Sequence, residues 1–513
     1  MSTTSLLNAP LDSAIIIGHT TPTTARLWVR GSKAGSYVLM VTADDKPTQN
    51  APLNFPIELT PATDLTGVID VSGLEAHQTY RCQLVHKESD EHEHETRFRT
   101  LSDSPTKFAF GLFSCHMPYS EDDPEGRPIK GVWGDLPRRL EQWDADFCIA
   151  SGDQIYSDGH HNVNLWERLK ARKNTNPAPD QDEMLAWYRE VYRLFWGFAD
   201  IQNTYGRYPT YMMWDDHEIV DGWGSMTDEN IARRLSRWPF FFGGSRRNFR
   251  LAKTMISAGK QAYQEYQHCH NPDTPKDQWD YTLTSCGSDF YVLDCRGHRT
   301  MEGNVEKRVL GESQFQRYRD WLEKLAPYSE KPTPIFVVSS IPLVHVQAGV
   351  SSFAEHILLR PVRYDLRDHW THNSHIEELL ELIDLSFKAA QRTGRPLVFL
   401  SGDVHVAAVF HLSSTEYPEV RAFQVTSSGI TSKPSPLIQR MVVVEKGYLG
   451  TSKFRFSRLG LVLEHNFGIV EWDAKTNPEQ PSLLVRIYSA LEDAEPSAKT
   501  RENVIDLLDS ETW

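Results

Sequence analysis

Six short apolar runs in this 513-residue chain each end in chemically reactive residues, and this alternation constrains the fold more than any other feature. Phe108–Phe113 leads into Ser114-Cys115-His116, Phe147–Ala150 into Ser151-Gly152-Asp153-Gln154-Ile155-Tyr156, and Tyr211–Trp214 into Asp215-Asp216-His217-Glu218. Phe290–Leu293 leads into Asp294-Cys295-Arg296, Ile335–Val338 into Ser339-Ser340 with Pro342 and His345 beyond, and Leu397–Leu400 into Ser401-Gly402-Asp403-Val404-His405. Between the runs lie helical patterns over Pro137–Trp143, Met184–Phe195, Ala252–His268, Glu312–Leu325 and His375–Gln391. Apolar runs alternating with helices predict an α/β domain. Ligands in such sheets bind beyond the carboxyl ends of the strands, so the six reactive ends are expected to converge on one rim.

The first hundred residues have a different texture. Strands are expected at Ala14–Gly18, Thr24–Val29, Ser36–Thr42, Thr66–Val71, Thr79–Val85 and Glu95–Thr100, spaced by turns as in a β-sandwich. Gly73–Tyr80 looks like the tyrosine corner of fibronectin type III and related sandwiches. No catalytic cluster lies here, which points to a packing or orienting module, with a separate binding role as the alternative. A Ser/Asp/Pro/Thr-rich linker follows at Leu101–Lys107. Length alone suggests about three domains; the texture reduces this to a sandwich over 1–101, a catalytic domain over 108–490 with helical insertions near 160–208 and 226–278, and a C-terminal helix or tail over 491–513.

Composition narrows the function. With 40% hydrophobic and 24% charged residues the chain is an ordinary globular protein, not a collagenous, disordered or disulfide-stapled one. The net charge of −15 offers nothing to neutralise a nucleic-acid backbone, so no nucleic-acid binding is expected beyond a substrate. Six cysteines without a Cys-x-x-Cys pair fit reduced thiols. No apolar window is long enough for a membrane span, and the N-terminus carries neither a basic leader nor a twin arginine. The expected location is cytoplasmic as written, or periplasmic or secreted if a leader is missing.

The reactive ends supply a mixed donor set. Asp153, Asp216 and Asp403 offer hard oxygens, His217 and His405 offer nitrogens, and Cys115 and Tyr156 offer a thiolate and a phenolate. Carboxylates gathered together repel unless a cation sits among them, and a pair of metal ions can clamp an in-line displacement at phosphorus. Gly152 and Gly402 directly precede Asp153 and Asp403, where a tight turn lets the carboxylate approach closely. Other residues have simpler readings: Asp215 as a turn former, His345, His369, His372 and His375 as structural histidines, Cys148 and Cys286 as core thiols, and Trp187, Trp196 and Trp238 as lid packing.

The order Ser-Cys-His, Gly-Asp-Gln-Ile-Tyr, Trp-Asp-Asp-His-Glu, Leu-Asp-Cys-Arg and Ser-Gly-Asp-Val-His resembles the PhoD-like alkaline phosphatases of the calcineurin-like metallophosphoesterase superfamily. The resemblance implies a four-layer αββα domain preceded by a fibronectin- or immunoglobulin-like sandwich. It also implies hydrolysis of phosphomonoesters and phosphodiesters at a binuclear or multinuclear centre of Fe(3+) with Ca(2+), or other divalent metals. Carried over, Cys115, Asp153 and Tyr156 match the iron ligands, with Asp153 bridging, and Asp403 and His405 match the ligands of the last motif. Asp216 stands where the superfamily has a metal-binding Asn. His217 matches the His that lies near the substrate and assists the leaving group, and Arg296 matches a family Arg near the site, a candidate for gripping phosphate. Where the family often has two Asn after Asp-His-Glu this chain has Asp221-Gly222, so Asp221 is a further candidate ligand. His116 stands where others carry Gln or Arg.

The expected mechanism is in-line attack on a small-molecule phosphoester by a metal-bound hydroxide, with His217 assisting departure and Asp216 or Glu218 orienting its ring. The alternatives are a phosphodiesterase or phospholipase D-type enzyme acting on lipid head groups, and an inactive binding or scaffold protein. A Cys115 nucleophile is a weaker reading, since no Cys-x5-Arg loop follows it.

Overall fold

The structure is a computed structural model that describes residues 10–44, 52–89, 91–103, 106–119, 129, 131–160, 163–236, 245–302, 305–345, 369–432, 444–450, 453–491 and 500–509. Among them, period-two alternation in the N-terminal part yields seven strands: β1 (Ala14–Thr20), β2 (Thr24–Arg30), β3 (Gly35–Ala43), β4 (Leu53–Leu59), β5 (Thr66–Ser72), β6 (Thr79–His86) and β7 (Glu91–Arg99). They form two antiparallel sheets in the orders β1-β2-β5 and β4-β3-β6-β7. Ile15, Ile17, Leu27, Val29, Tyr37, Leu39 and Leu84 fill the space between the sheets. The Tyr80 hydroxyl accepts the Glu75 N–H at 2.8 Å, the corner contact expected from Gly73–Tyr80. The sequence reading has no strand at β4, because Asn54 and Pro56 interrupt its pattern. β4 lies at the sheet edge, where a proline interrupts fewer ladder bonds.

The remaining chain builds β8 (Lys107–Phe113), β9 (Phe147–Ser151), β10 (Thr210–Met213), β11 (Tyr281–Ser285), β12 (Ser288–Val292), β13 (Thr300–Glu302), β14 (Val305–Arg308), β15 (Ile335–Ser339), β16 (Leu397–Ser401), β17 (Ala407–Ser414), β18 (Ala422–Ser427), β19 (Lys446–Tyr448), β20 (Phe454–Val462), β21 (Asn466–Asp473), β22 (Ser482–Ala490) and β23 (Thr500–Asp506). Its helices are α1 (Leu136–Gln142), α2 (Leu165–Arg172), α3 (Gln181–Trp196), α4 (Ala199–Arg207), α5 (Asp228–Arg234), α6 (Arg246–Tyr266), α7 (Gly311–Lys324) and α8 (Ile376–Thr393). Side-chain caps start the inserted helices: Asn164, Asp180, Thr227 and Ser245 each accept the N–H three residues on, satisfying donors that a helix leaves unpaired.

The six runs divide between two sheets. One has the order β10-β9-β8-β21-β22-β23, the other β11-β12-β15-β16-β18-β17-β20-β19. Neighbours β8, β9 and β10 are parallel, as are β12, β15, β16 and β18, so their reactive ends point the same way within each sheet. Alternation explains the layering. Phe108, Phe110, Leu112, Phe336, Val338, Val398 and Leu400 meet in the core between the sheets. Ala109 and Phe113 turn outward onto the cluster that includes α1 and α3 to α6, while Ile335, Val337, Leu397 and Phe399 turn onto α7 and α8. The result is the four-layer αββα arrangement. Phe110 stacks on Phe147 within one sheet and meets Phe336 of the other edge-on, with centroids 4.9 and 5.3 Å apart. Burying each such ring contributes about 2–3 kcal/mol.

One expectation is corrected at the C-terminus. The helix anticipated within 491–513 is instead a strand, β23, paired antiparallel with β22. Its residues lack an apolar helical stripe, and Val504 and Ile505 favour the open edge of the sheet. Among the described residues no helix is long and apolar enough to cross a membrane.

Candidate metal centre

The turns after β8, β9 and β16 carry backbone that side-chain-bearing residues seldom adopt. Cys115, Asp153, Asp403 and His405 have φ of 58°, 56°, 70° and 56°. Left-handed conformations of this kind are held only when the surroundings over-determine them, and they collect at functional sites. The two glycines explain how the turns come together. Gly152 has φ 103°, and a Cβ there would lie 2.7 Å from Cβ of Asp215. A Cβ on Gly402 would lie 2.5 Å from Ser114 Oγ and 2.6 Å from the Ser151 carbonyl.

Three groups of donors result, each with its ligand atoms within 4.8 Å of one another: Cys115, Asp153 and His405; Asp153, Asp216 and His217; and Asp215, Asp216 and Asp403. Asp153 and Asp216 are each shared by two groups. Tyr156 joins the first, its hydroxyl 3.1 Å from Asp153 Oδ2 and 3.0 Å from His405 Nε2. Ser428, just beyond β18, lies with Oγ 3.0 Å from Cys115 Sγ and accepts the His405 N–H at 2.9 Å. The sequence reading missed Ser428, although the Ser-Ser-Gly end of an apolar run was a signal of the same kind as the other six.

The electrostatics favour a cation. Burial raises the Asp153 carboxyl well above the usual range, and the neighbouring Cys115 adds to it. Burial likewise raises Tyr156, and pushes the Cys115 thiol to about 11 although Ser114 and Ser428 pull it back. Asp215 Oδ2 is buried with no hydrogen-bond partner. A thiolate, phenolate and imidazole beside a carboxylate suit a transition metal, and the all-carboxylate group suits a hard cation such as Ca(2+). The residues present therefore fit the kinds of metal ion that the family resemblance implies.

His217 is oriented by a residue the sequence reading passed over. Its Nδ1 pairs with Asp158 Oδ1 at 2.8 Å, and its ring stacks on Tyr156 with centroids 4.1 Å apart. Neither Asp216 nor Glu218 does this. Asp216 Oδ2 accepts the Gly222 N–H, and Glu218 faces the backbone of the β9 and β10 turns. Asp158 sits two residues after Tyr156, close enough to the motif to have been found. Burial opposes a charged His217 ring, but Asp158, Asp216 and Asp153 outweigh it and hold the ring well above the ordinary histidine range.

Arg296 and Asp221 each lie in ion pairs. Arg296 has no exposed side-chain surface; its Nε binds Asp215 Oδ1, and its Nη2 lies 3.7 Å from Asp216 and 3.9 Å from Asp403. Three acids thus surround one buried guanidinium, whose charge offsets theirs. Asp221 is half exposed, and Arg234 engages its carboxylate at 3.0 Å and its carbonyl at 2.7 Å. It belongs to none of the three donor groups among the described residues; Asp215, read from sequence as a turn former, does. His116 is buried away from the donors. Trp133 Nε1 donates to its Nδ1 at 3.0 Å, its Nε2 lies 3.1 Å from the Phe195 carbonyl, and burial pulls it down to about 3. Among the described residues, none of His345, His369, His372 and His375 enters a three-donor group.

Fold and site together define a two-sheet α/β domain whose rim gathers carboxylates, two histidines and one thiol that could hold metal ions. The sequence matches the PhoD-like phosphatase family over residues 110–477, and the chain belongs to that family. A solved structure described as "Structure of PhoD" superposes with a TM-score of 0.65 at 14% identity, covering 97% of this chain and 89% of that one. The FN5 domain of Drosophila Lar aligns at 17% identity over 18% of this chain and 99% of that one, with a TM-score of 0.15. An uncharacterized protein of Saccharomyces cerevisiae is 22% identical over 348 residues, 54% of this chain and 47% of that protein. The chain thus spans about half the length of that curated relative.

Proposed function

We propose that this chain is a metal-dependent phosphoester hydrolase acting on small-molecule phosphomonoesters or phosphodiesters. The observation that carries the reading is that Asp153 lies within reach of Cys115 and His405 on one side and of Asp216 on the other. In this reading Cys115, Tyr156, His405 and Asp153 hold ferric iron, and Asp153, Asp216, Asp215 and Asp403 hold calcium or another divalent ion. When bound, the ions supply positive charge to phosphoryl oxygens and acidify a water. Arg296 places a fixed positive charge among Asp215, Asp216 and Asp403. Asp158 holds His217 in the protonated, correctly turned form, so that the remaining ring nitrogen is free to give its proton to the leaving oxygen. The αL turns fix the donors before substrate arrives, which lowers the reorganisation needed for reaction.

Elemental analysis of purified protein, with p-nitrophenyl phosphate and bis-p-nitrophenyl phosphate assays, tests the reading. Metal-replete protein is expected to cleave at least one of the two, and Asp153→Ala to lose both metal and activity. Metal-replete protein that cleaves neither, with unchanged metal content in Asp153→Ala, defeats it.

A further inference from the structure

Behind the metal donors lies a buried carboxylate that holds their backbone. Glu218 Oε2 accepts the Asp153 N–H at 3.1 Å and the Asp215 N–H at 2.8 Å, while Oε1 accepts the Gln154 N–H at 2.7 Å. One side chain thus ties the turn after β9 to the turn after β10, and with them two donors, Asp153 and Asp215. The fourth hydrogen bond comes from outside these turns. Gln267, at the C-terminal end of α6 in the second insertion, donates Nε2 to Glu218 Oε1 at 2.9 Å and to the Tyr192 hydroxyl at 3.0 Å. Both Glu218 and Gln267 are buried.

The anchorage continues into the β-sandwich by two routes. Tyr192 stacks on Tyr266 at 4.5 Å and 15°, and the Tyr266 hydroxyl donates to Asp64 of the sandwich, which Arg193 also engages. Trp28 of β2 packs edge-on to Trp196, Trp196 packs edge-on to Tyr205, and the Tyr205 hydroxyl donates to Gln154 Oε1 at 2.7 Å. Both routes converge on the Asp153–Gln154 turn, where Asp153 is held in a left-handed conformation.

We infer that Gln267 and Glu218 are positioning residues for the metal centre, and that the sandwich braces the helices that carry Gln267. This rests on the reading of Asp153 as a metal ligand. Groups that fix a ligand's direction from behind are worth about tenfold to a hundredfold in metal affinity. A buried carboxylate that keeps four donors satisfied is replaced poorly by an amide, which must set an NH2 group against N–H donors.

The test uses the full chain, stripped with chelator and titrated with Co(2+) alone, followed by visible absorption. Gln267→Met and Glu218→Gln are each expected to bind Co(2+) about tenfold to a hundredfold more weakly and to change the absorption envelope of the bound ion. A residue important only for folding moves the melting temperature but leaves the spectrum of the folded protein unchanged. Folded variants with wild-type affinity and spectrum overturn the inference. If Gln267→Met fails to fold, Glu218→Gln, which conserves volume, decides alone. Wild-type protein that binds Co(2+) but cleaves no phosphoester removes the proposed function and leaves the positioning role standing. Wild-type protein that binds no Co(2+) removes Asp153 as a ligand and the positioning role with it.

Discussion

Asp158 Oδ1 lies 2.8 Å from Nδ1 of His217, and its other oxygen accepts the Asp221 N–H at 2.6 Å. One carboxylate thereby fixes both the charge and the direction of the ring while tying the β9 turn to the segment after β10. Asp158→Asn keeps the shape and removes the charge. It is expected to lower kcat toward alkyl phosphates by about a hundredfold or more, the range of general acid catalysis. Because p-nitrophenolate departs with little protonation, the loss on p-nitrophenyl phosphate is expected to be smaller. Steady-state rates on both esters check this, and equal losses speak against His217 as the proton donor.

The two kinds of donor group predict separable metal losses. Cys115→Ser replaces the soft ligand and is expected to deplete the transition metal while sparing the hard cation. Asp403→Asn, in the all-carboxylate group, is expected to deplete the hard cation first. Elemental analysis of each variant against wild type reads the two metals independently.

Acid destabilisation is expected to begin near pH 6.5. His268 and His270 are held neutral by burial, drawn down to about 4 and about 3. The unfolded chain takes up protons at these residues near pH 6.5 while the folded chain does not. Stability is therefore full above the unfolded pKa and falls as pH drops through the window down to the folded values. Two such groups contribute a slope of about 3 kcal/mol per pH unit near the middle of that window. Urea denaturation between pH 7 and pH 4 measures the slope, and His270→Leu is expected to lower it by about 1.4 kcal/mol per pH unit.

Gly402→Ala tests the close approach of the turns. The added methyl meets Ser114 Oγ and the Ser151 carbonyl, so the β16 turn must move away from β8 and β9. Overpacking of this kind costs about 1–3 kcal/mol. Here it also displaces Asp403 and His405, so metal content is expected to fall along with the denaturation midpoint. A variant with wild-type stability and metal content shows that the turns tolerate separation.

Much of the site was legible because its residues stand directly after apolar runs. Cys115, Asp153, Tyr156, Asp216, His217, Asp403 and His405 could be named from that position alone, and the structure gathers them. What escaped were residues whose role depends on direction. Asp158 and Glu218 are both acids near the motifs, and only folded geometry shows that the first faces the His217 ring and the second faces backbone N–H groups. For Arg296 and Asp221 too, the charged neighbours emerge only on folding: Arg296 lies beside Asp215, and Asp221 beside Arg234. Gln267 lies far from any motif and gave no signal in sequence.

The sequence by itself determined the period of each element, hence a β-sandwich followed by alternating strands and helices, and it determined which donor chemistries stand at strand ends. Hydrophobic periodicity and residue type are local properties, and one chain records them completely. The tertiary structure alone decided the division of six strand ends between two sheets, the partner of every buried charge, and the bracing of Asp153 through Glu218 and Gln267. Those outcomes depend on which long-range neighbours exclude water from a charge, and sequence separation carries no information about that.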